Sequence, residues 1–252
     1  MAGHSKWKNI QHRKGRQDSL RAKAFTKISK EIFAAARSGG GDPNTNTRLR
    51  MAIAKAKAAN MPNDNVDRTL KKALGELDGV QYEEITYEGY GPGGVAIMVD
   101  VLTDNKNRSA AEVRLAFNKN GGSLGETGCV NFMFQRRGLL VVDRNAHVFD
   151  EDEFTLEVIE AGADDIHVEE DSFEITTTVE EFETVKTALE GLNIEFITAE
   201  VTMLPETKSE LSGDAALQTI KLIEMLEDND DVQNVYSNLE LSEEALAQLN
   251  ND

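Results

Sequence analysis

The sequence predicts an α+β protein of three domains, in which a helical N-terminal domain precedes two domains that contain β-sheet. Three patterns support this fold class. Apolar residues recur at helical spacing through residues 20–75, alternating strand patterns begin at Gln81, and the order β-α-β-β-α-β follows between Leu139 and Leu204. At 252 residues the chain is long enough for several compact domains.

The N-terminal domain is predicted to contain three helices. The first begins near Leu20 and ends at three consecutive glycines, residues 39–41. The second begins in the stretch DPNTNT, where we expect Asp42 to cap the helix and Pro43 to occupy its first turn. The third points Leu74 inward and ends at the glycine that follows.

From Gln81 the hydrophobic period changes to two, which indicates strands. Residues 85–87 lead through the glycine turn GYGPGG into a second strand at residues 95–101. A helix is expected at residues 108–120. The alternation of Val130, Phe132 and Phe134 then predicts a strand that ends at the turn QRRG, after which LLVV forms the next strand.

The β-α-β-β-α-β order is that of a ferredoxin-like domain. A helix, AALQTIKLIEMLE, and a strand, DVQNVYSNL, follow Pro205 without a sheet of their own, so we expect them to rejoin the sheet begun at residues 81–134. The ferredoxin-like domain is then an insertion. The predicted units are the basic arm and helical domain at 1–78, a discontinuous α/β middle domain at 79–136 plus 205–241, an acidic ferredoxin-like domain at 137–204, and a C-terminal tail at 242–252.

Charge is distributed very unevenly along the chain. Residues 1–78 carry 17 Lys and Arg against 7 Asp and Glu, a net charge of +10. Because the whole chain carries 27 and 45, the remainder carries 10 against 38, a net charge of −28. Such asymmetry indicates that the basic part contacts nucleic acid or another acidic surface, whereas phosphate should repel the acidic part.

The opening stretch MAGHSKWKNIQHRKGRQD is rich in cations and contains the only tryptophan. Cations can contact phosphates, and an aromatic ring can stack on a base. A lysine stripe on the first helix extends this pattern. Lysines on a single helix are more often a solvated face, but the charge imbalance favours nucleic-acid contact. The candidate contact residues are His4, Lys6, Trp7, Lys8, His12, Arg13, Lys14, Arg16, Lys23, Lys27, Lys30 and Arg37.

Other motifs give no support for catalysis. The glycine segments at 89–94 and 120–128 have the pattern of a turn and of a loop that ends a helix, and whether either contacts a ligand stays open. The four histidines lack ligand spacing, and Cys129 has no second cysteine nearby. The acidic cluster DNDD at 228–231 lacks the spacing of a calcium loop and is interpreted as a solvated helix end. We predict no catalytic residue, no metal and no cofactor.

The sequence also carries signals about location. It contains no run of eighteen apolar residues that could span a bilayer, and its N-terminus lacks the apolar segment of a secretory signal. A single cysteine suits a reducing compartment. We therefore expect a cytoplasmic protein that does not associate with membranes. No feature of the sequence indicates an oligomeric state.

Four long segments of the chain are distinctive: AGHSKWKNIQHRKGRQD, FTKISKEIFAAARSGGGDPNTNTRLRMAIAKAKAANMPNDNV, YEGYGPGGVAIMVDVLTDNKNRSAAEVR and NKNGGSLGETGCVNFMF. These segments closely resemble the YebC family of bacterial regulators. The resemblance covers essentially residues 2–240 and implies a three-domain fold with a helical N-terminal domain. The family is described as probable DNA-binding transcriptional regulators. Its mitochondrial relatives are translational activators of cytochrome c oxidase, which implies a role on the ribosome.

The sequence thus predicts a non-enzymatic, nucleic-acid-binding regulator of gene expression, acting on DNA by the family's description. One alternative is a ribosome-associated translation factor that binds ribosomal RNA or tRNA and eases the synthesis of proline-rich chains. RNA suits the aromatic, basic arm because it offers unstacked bases. A further alternative is an acidic adaptor for basic proteins. An enzyme would be favoured by a polar pocket holding a carboxylate with a strongly shifted pKa.

Overall fold

The computed structural model describes residues 17–75, 81–146, 150–242 and 245. Its helices and antiparallel sheets confirm the predicted α+β fold class. Throughout these ranges, no helix is both long and apolar enough to cross a membrane.

The N-terminal domain consists of the helices α1 (Gln17–Gly39), α2 (Thr47–Ala58) and α3 (Asn63–Leu74). Both α2 and α3 pack against α1. Ile32 of α1 and Leu49 of α2 are fully buried, together with alanines that allow the helices to approach closely. The three helices therefore surround one small apolar core of their own.

The predicted cap of the second helix is wrong. The helix begins at Thr47, and the side chain of Asn46 caps it by accepting a hydrogen bond from the Leu49 amide at 3.0 Å. Asp42 instead accepts from the Asn44 amide at 2.9 Å, because Asp readily closes a local turn two residues on. The Asn46 amide also donates to the Ala35 carbonyl oxygen at 2.8 Å, so one buried residue both starts α2 and fastens it to α1.

The inward orientation predicted for Leu74 is also wrong. Its side chain is 54% exposed, whereas Ala73 beside it is fully buried. Leu74 lies against Gly41, where an added Cβ would stand 2.4 Å from its Cδ1 atom. In the last turn of α3, Leu74 thus packs on the glycine segment after α1, while Ala73 packs on the core.

The middle sheet contains β1 (Glu83–Tyr90), β2 (Ala96–Thr103), β3 (Ser123–Leu124) and β9 (Val232–Ser237). The strand order is β3-β1-β2-β9, and all pairs are antiparallel. Because β9 joins the sheet after a long excursion of the chain, the predicted insertion is present in the fold.

Two helices, α4 (Lys106–Lys119) and α7 (Gly213–Glu227), cover one face of this sheet. Phe117 of α4 and Leu222 of α7 are fully buried in the same cluster as Ile97 of β2. The C-terminal end of α7 reaches the N-terminal domain, where it contacts lysines of α1.

The inserted unit has the predicted ferredoxin-like order, with two helices on one face of an antiparallel sheet of order β5-β6-β4-β7. A short parallel pair lies outside both sheets. The bounds are β4 Phe134–Asp143, α5 Glu151–Glu160, β5 Asp165–Val168, β6 Ser172–Thr177, α6 Phe182–Gly191, β7 Phe196–Pro205, β8 Ser209–Leu211 and β10 Leu239–Leu241.

The predicted turn QRRG and the strand before it are wrong. Residues Asn131–Met133 form a 3-10 turn, and β4 then runs without interruption from Phe134 to Asp143, so QRRG lies inside a strand. The buried carboxylate of Glu88 accepts hydrogen bonds from the amides of Val130 and Asn131, which are then not available to a strand ladder. Phe132 is left 71% exposed.

The two sheets contact each other through an apolar cluster that includes Ala96 and Met98 of β2 and Phe134 of β4. The N-terminal domain is different. Tyr82 is the one residue from beyond residue 75 in its apolar cluster as far as the described chain shows, packing edge-on against Phe33 at 5.5 Å. The predicted domain boundaries themselves stay predictions.

Candidate nucleic-acid interface

The predicted contact residues of the N-terminal arm lie outside the described part of the chain. These residues are His4, Lys6, Trp7, Lys8, His12, Arg13, Lys14 and Arg16. The four other candidates, Lys23, Lys27, Lys30 and Arg37, all lie on α1.

Lys23, Lys27 and Lys30, which we call the lysine row, are not a freely solvated face, although Lys23 is partly exposed. They contact the acidic end of α7, which we define as residues 227–231. Lys23 Nζ lies 2.7 Å from an Asp228 carboxylate oxygen, and Lys27 Nζ donates to the Glu227 carbonyl oxygen at 2.6 Å. Lys30 Nζ donates to the carbonyl oxygen of residue 230 and to a carboxylate oxygen of residue 231.

The helix geometry explains why these groups meet. A spacing of four and then three residues places the row on a single stripe of α1. The end of α7 presents carbonyl groups that have no partner within the helix, and its dipole makes that end negative. Carboxylates at 227, 228, 230 and 231 add to the same charge. The acidic end of α7 is therefore a suitable acceptor for three ammonium groups.

Asp231 is the most heavily bonded residue of this contact. It is 3% exposed, and its carboxylate accepts from Lys30 at 2.7 Å, Arg108 at 2.8 Å, the Ser109 hydroxyl at 2.8 Å and the Thr103 hydroxyl at 3.1 Å. Burial alone would raise the pKa of Asp231, but the hydrogen bonds from Lys30, Arg108 and Ser109 lower it well below its usual range. The interpretation of DNDD as a solvated helix end is thus wrong for its last residue.

Lys27 occupies a less favourable position in the row. Burial lowers its pKa, and the nearby charges of Glu227 and Asp230 only partly offset this effect. Its hydrogen-bond acceptor is a backbone carbonyl and not a carboxylate. The charge of Lys27 is therefore held in this contact without a full opposite charge bonded to it.

Arg37, near the end of α1, contacts the end of α3. Its Nη1 donates to the carbonyl oxygens of Ala73 at 3.0 Å and Gly75 at 3.3 Å. These are terminal carbonyls of the kind that a helix leaves without partners. Arg37 therefore has a structural role in the helical core, although its side chain is near the surface.

The sequence interpretation did not single out Arg50, Lys57, Arg68 and Lys71, which we call the exposed cations. Arg50 and Lys57 lie two turns apart on α2, and Arg68 and Lys71 lie one turn apart on α3. All four are exposed, and among the described residues none forms an ion pair. Arg50 bonds only neutral oxygens of residues 43 and 47. Their helical spacing was visible in the sequence, but their lack of ion pairs within the described chain was not.

The second glycine segment is held by Glu88. The buried carboxylate accepts from the amides of Gly128, Val130 and Asn131 at 2.7 to 2.8 Å. Burial alone would raise the pKa of Glu88, but these three bonds lower it. The segment is thus bonded to β1, and whether it contacts a ligand stays an open prediction.

Comparisons with known proteins agree with the resemblance to the YebC family that the sequence motifs indicate. A model described as the TACO1/YebC protein N-terminal domain matches residues 5–76, and one described as the TACO1/YebC second and third domain matches residues 82–239. The chain belongs to the TACO1/YebC family. The lysine row and the exposed cations therefore lie in the family's N-terminal domain, and the acidic end of α7 lies in the part that follows.

Relatives and a solved structure extend this family assignment over nearly the whole chain. A "probable transcriptional regulatory protein" of Geobacillus thermodenitrificans is 60% identical over 96% of this chain and 98% of its own length. The "probable transcriptional regulatory protein YrbC" of Bacillus subtilis is 58% identical over 94% and 99%. The crystal structure of a conserved hypothetical protein from Aquifex aeolicus matches with a TM-score of 0.79 and 44% identity, covering 93% of this chain and 96% of that one.

A polar cavity of about 480 Å³ lies where this N-terminal domain meets both sheets. Its charged side chains are largely paired: Lys55 with Glu31 at 3.1 Å, and Arg48 with Glu84. The carboxylates with lowered pKa values, at positions 88 and 231, do not line it. The described residues contain no group of three or more His, Cys, Asp or Glu that could hold a metal. Burial and the nearby residue 88 raise the pKa of Cys129, which disfavours a reactive thiolate.

Proposed function

We propose that this chain is a non-enzymatic regulator of gene expression that binds nucleic acid through its N-terminal domain. The observation that carries the proposal is the set of exposed cations: Arg50, Lys57, Arg68 and Lys71 are free of carboxylate partners within the described chain. The remainder from residue 79 has a net charge of −28, so phosphate is attracted to one end of the molecule. The names of the bacterial relatives agree with a regulatory role.

The exposed side of α2 favours contact with the nucleic-acid backbone. Arg50, Ala54 and Lys57 lie on this side at helical spacing, and all three are exposed. Phosphate contacts position a protein, whereas base edges are read by bidentate Arg, Asn or Gln side chains. An alanine between two cations suits phosphate contact better than the reading of base edges. The same chemistry would serve structured RNA as well as DNA, so a translation factor on ribosomal RNA or tRNA is the alternative form of this proposal.

Ultraviolet crosslinking in cells, followed by sequencing of the bound nucleic acid, tests the proposal and identifies the target. The full-length wild type is compared with two charge-matched quadruple variants. In the first, the four exposed cations are reversed. In the control, the reversed residues are four solvent-exposed Arg or Lys residues of the other domains that form no ion pair in the described chain. The variants are Arg50→Glu, Lys57→Glu, Arg68→Glu, Lys71→Glu and, as control, Arg114→Glu, Lys119→Glu, Arg136→Glu, Lys221→Glu.

We expect the first variant to lose most of the crosslinked nucleic acid and the control to retain it. Promoter DNA at defined positions would identify a transcriptional regulator. Ribosomal RNA or tRNA would identify a translation factor. Equal recovery from all three proteins would contradict the role of the exposed cations.

A further inference from the structure

The lysine row of α1 has the dimensions of a phosphate-binding surface. Lys23 to Lys30 spans about 10 Å of helix axis at 1.5 Å per residue. A B-form strand presents about three phosphates over that length. The three ammonium groups are instead bonded to oxygen atoms of α7 and the residues after it. Lys23 bonds the carboxylate of residue 228, and Lys27 bonds the carbonyl oxygen of residue 227. Lys30 bonds the carbonyl oxygen of residue 230 and the carboxylate of residue 231. The acidic end of α7 therefore occupies the positions that phosphate oxygens would take.

We propose that the lysine row is a second phosphate-binding surface, which the acidic end of α7 covers, and that nucleic acid reaches it when the N-terminal domain separates from the middle domain. This inference rests on the proposed function. It adds a second, normally closed contact surface to the one formed by the exposed cations, and it makes the acidic end of α7 an internal competitor for nucleic acid.

The nature of the domain junction permits such a separation. The two sheets share an apolar cluster, but the N-terminal domain meets the middle domain through charged side chains and the Phe33–Tyr82 ring pair. Polar interfaces between domains of one chain generally allow relative motion. The outer ion pair of the junction is also solvent-accessible, with side-chain exposures of 38% for Lys23 and 67% for Asp228, and such pairs contribute little.

Opening would leave few groups without partners. Asp231 would lose Lys30 but keep Arg108, Ser109 and Thr103, which all belong to the middle domain. Lys27, which donates to a neutral carbonyl, would gain a full negative charge from a phosphate. The exchange of α7 for nucleic acid thus gives Lys27 a stronger partner, whereas Lys23 and Lys30 exchange a carboxylate for a phosphate.

Zero-length carbodiimide crosslinking provides a direct test on the full-length protein. The reagent joins an amine to a carboxylate in contact, so the Lys23–Asp228 pair at 2.7 Å reports the closed junction. The Lys106–Glu83 pair, also at 2.7 Å but within the middle domain, is the internal control. Yields of both crosslinked peptides are measured by mass spectrometry, without and with a saturating duplex DNA or a tRNA.

If the DNA or the tRNA binds, we expect the yield of the Lys23–Asp228 crosslink to fall by about fivefold or more, because binding shifts the population toward the open form. The yield of the Lys106–Glu83 crosslink should stay unchanged. If binding is confirmed in the same sample but the yields of both peptides are unchanged, the proposal of a covered surface is overturned and the proposed function is not. Failure of both probes to bind would overturn the proposed function, and the covered surface with it.

A mutant cycle gives an independent readout. Neutralising Asp228 and Asp230 to Asn should raise nucleic-acid affinity about two- to fivefold, because the exposed Lys23–Asp228 ion pair and the attraction of Asp230 for Lys27 are removed. The matched control, Asp214→Asn with Glu224→Gln, removes the same charge from exposed positions of α7. Adding Lys23→Gln and Lys27→Gln should abolish the gain. A gain that survived these substitutions, or that the control reproduced, would mean a general charge effect and would overturn the proposal.

Discussion

Two sets of cations in the same small domain have opposite surroundings. The lysine row on α1 is bonded to the acidic end of α7, whereas the exposed cations on α2 and α3 have no ion-pair partner in the described chain. Both sets have helical spacing and similar composition. The difference shows that the availability of a cation for phosphate depends on which distant segment packs against it, and that local charge alone does not decide it.

The largest effect on stability is expected from Asp231→Ala, which removes the anchor of the lysine row. Lys30, Arg108, Ser109 and Thr103 would each lose a buried acceptor. Breaking a buried ion pair from one side typically destabilises by about 3 kcal/mol. We expect a loss of this size in the free energy of unfolding, measured by urea denaturation.

The control for this prediction is Asp228→Asn, at the exposed edge of the same contact. Its side chain is 67% exposed, so we expect a change below about 0.5 kcal/mol. If the two substitutions destabilised the protein equally, the row would have no buried anchor.

The second prediction concerns the pH dependence of the same anchor. Because the pKa of Asp231 is lower in the folded protein than in the unfolded chain, its carboxylate stabilises the fold at neutral pH. This stabilisation is lost as the pH falls from the ordinary Asp range, about 3.9, through the lowered folded-state value. Asp231→Ala lacks it at every pH.

Urea midpoints of the wild type and Asp231→Ala, measured at several pH values, check this expectation. The gap between the two proteins should stay constant from about pH 7 to about pH 5 and narrow below about pH 4. A gap that already shrank between about pH 7 and about pH 5 would contradict a lowered pKa.

A smaller effect is expected from Arg37→Lys, which keeps the charge but cannot reproduce the guanidinium geometry. Lysine should lose at least one of the bonds to the carbonyl oxygens of Ala73 and Gly75. We expect a loss of about 1 kcal/mol in stability and an unchanged nucleic-acid affinity. A weakened affinity at unchanged stability would instead place Arg37 among the residues that contact phosphate.

The fold was largely predictable because its signals are local. Periods of 3.6 and 2 located the helices and strands, and the β-α-β-β-α-β order identified the inserted domain. The failures occurred where a contact from elsewhere overrides a local pattern. Asn46 caps α2 because it also reaches α1, and Glu88 holds residues 130–131 out of the strand that their alternation suggested.

The candidate site was predictable only in part. The charge imbalance marks residues 1–78 as basic, and Lys23, Lys27 and Lys30 of the predicted stripe all contact the acidic end of α7, whereas Arg37 contacts the end of α3. The contact between the lysine row and the acidic end of α7 could not be predicted, because Lys23 and Asp228 lie 205 residues apart in sequence. For the same reason, the freedom of Arg68 and Lys71 appeared only with the fold.

The most direct test of the central claim is the salt dependence of nucleic-acid affinity for three full-length proteins. These are the wild type, the variant with the four exposed cations reversed, and the charge-matched control reversed at Arg114, Lys119, Arg136 and Lys221. Each phosphate contact contributes about 0.9 to the slope of log affinity against log salt. We predict a slope smaller by about 2 to 4 in the first variant and a nearly unchanged slope in the control. Equal changes in both variants, or none in either, would contradict the claim that the exposed cations are the open phosphate-binding surface.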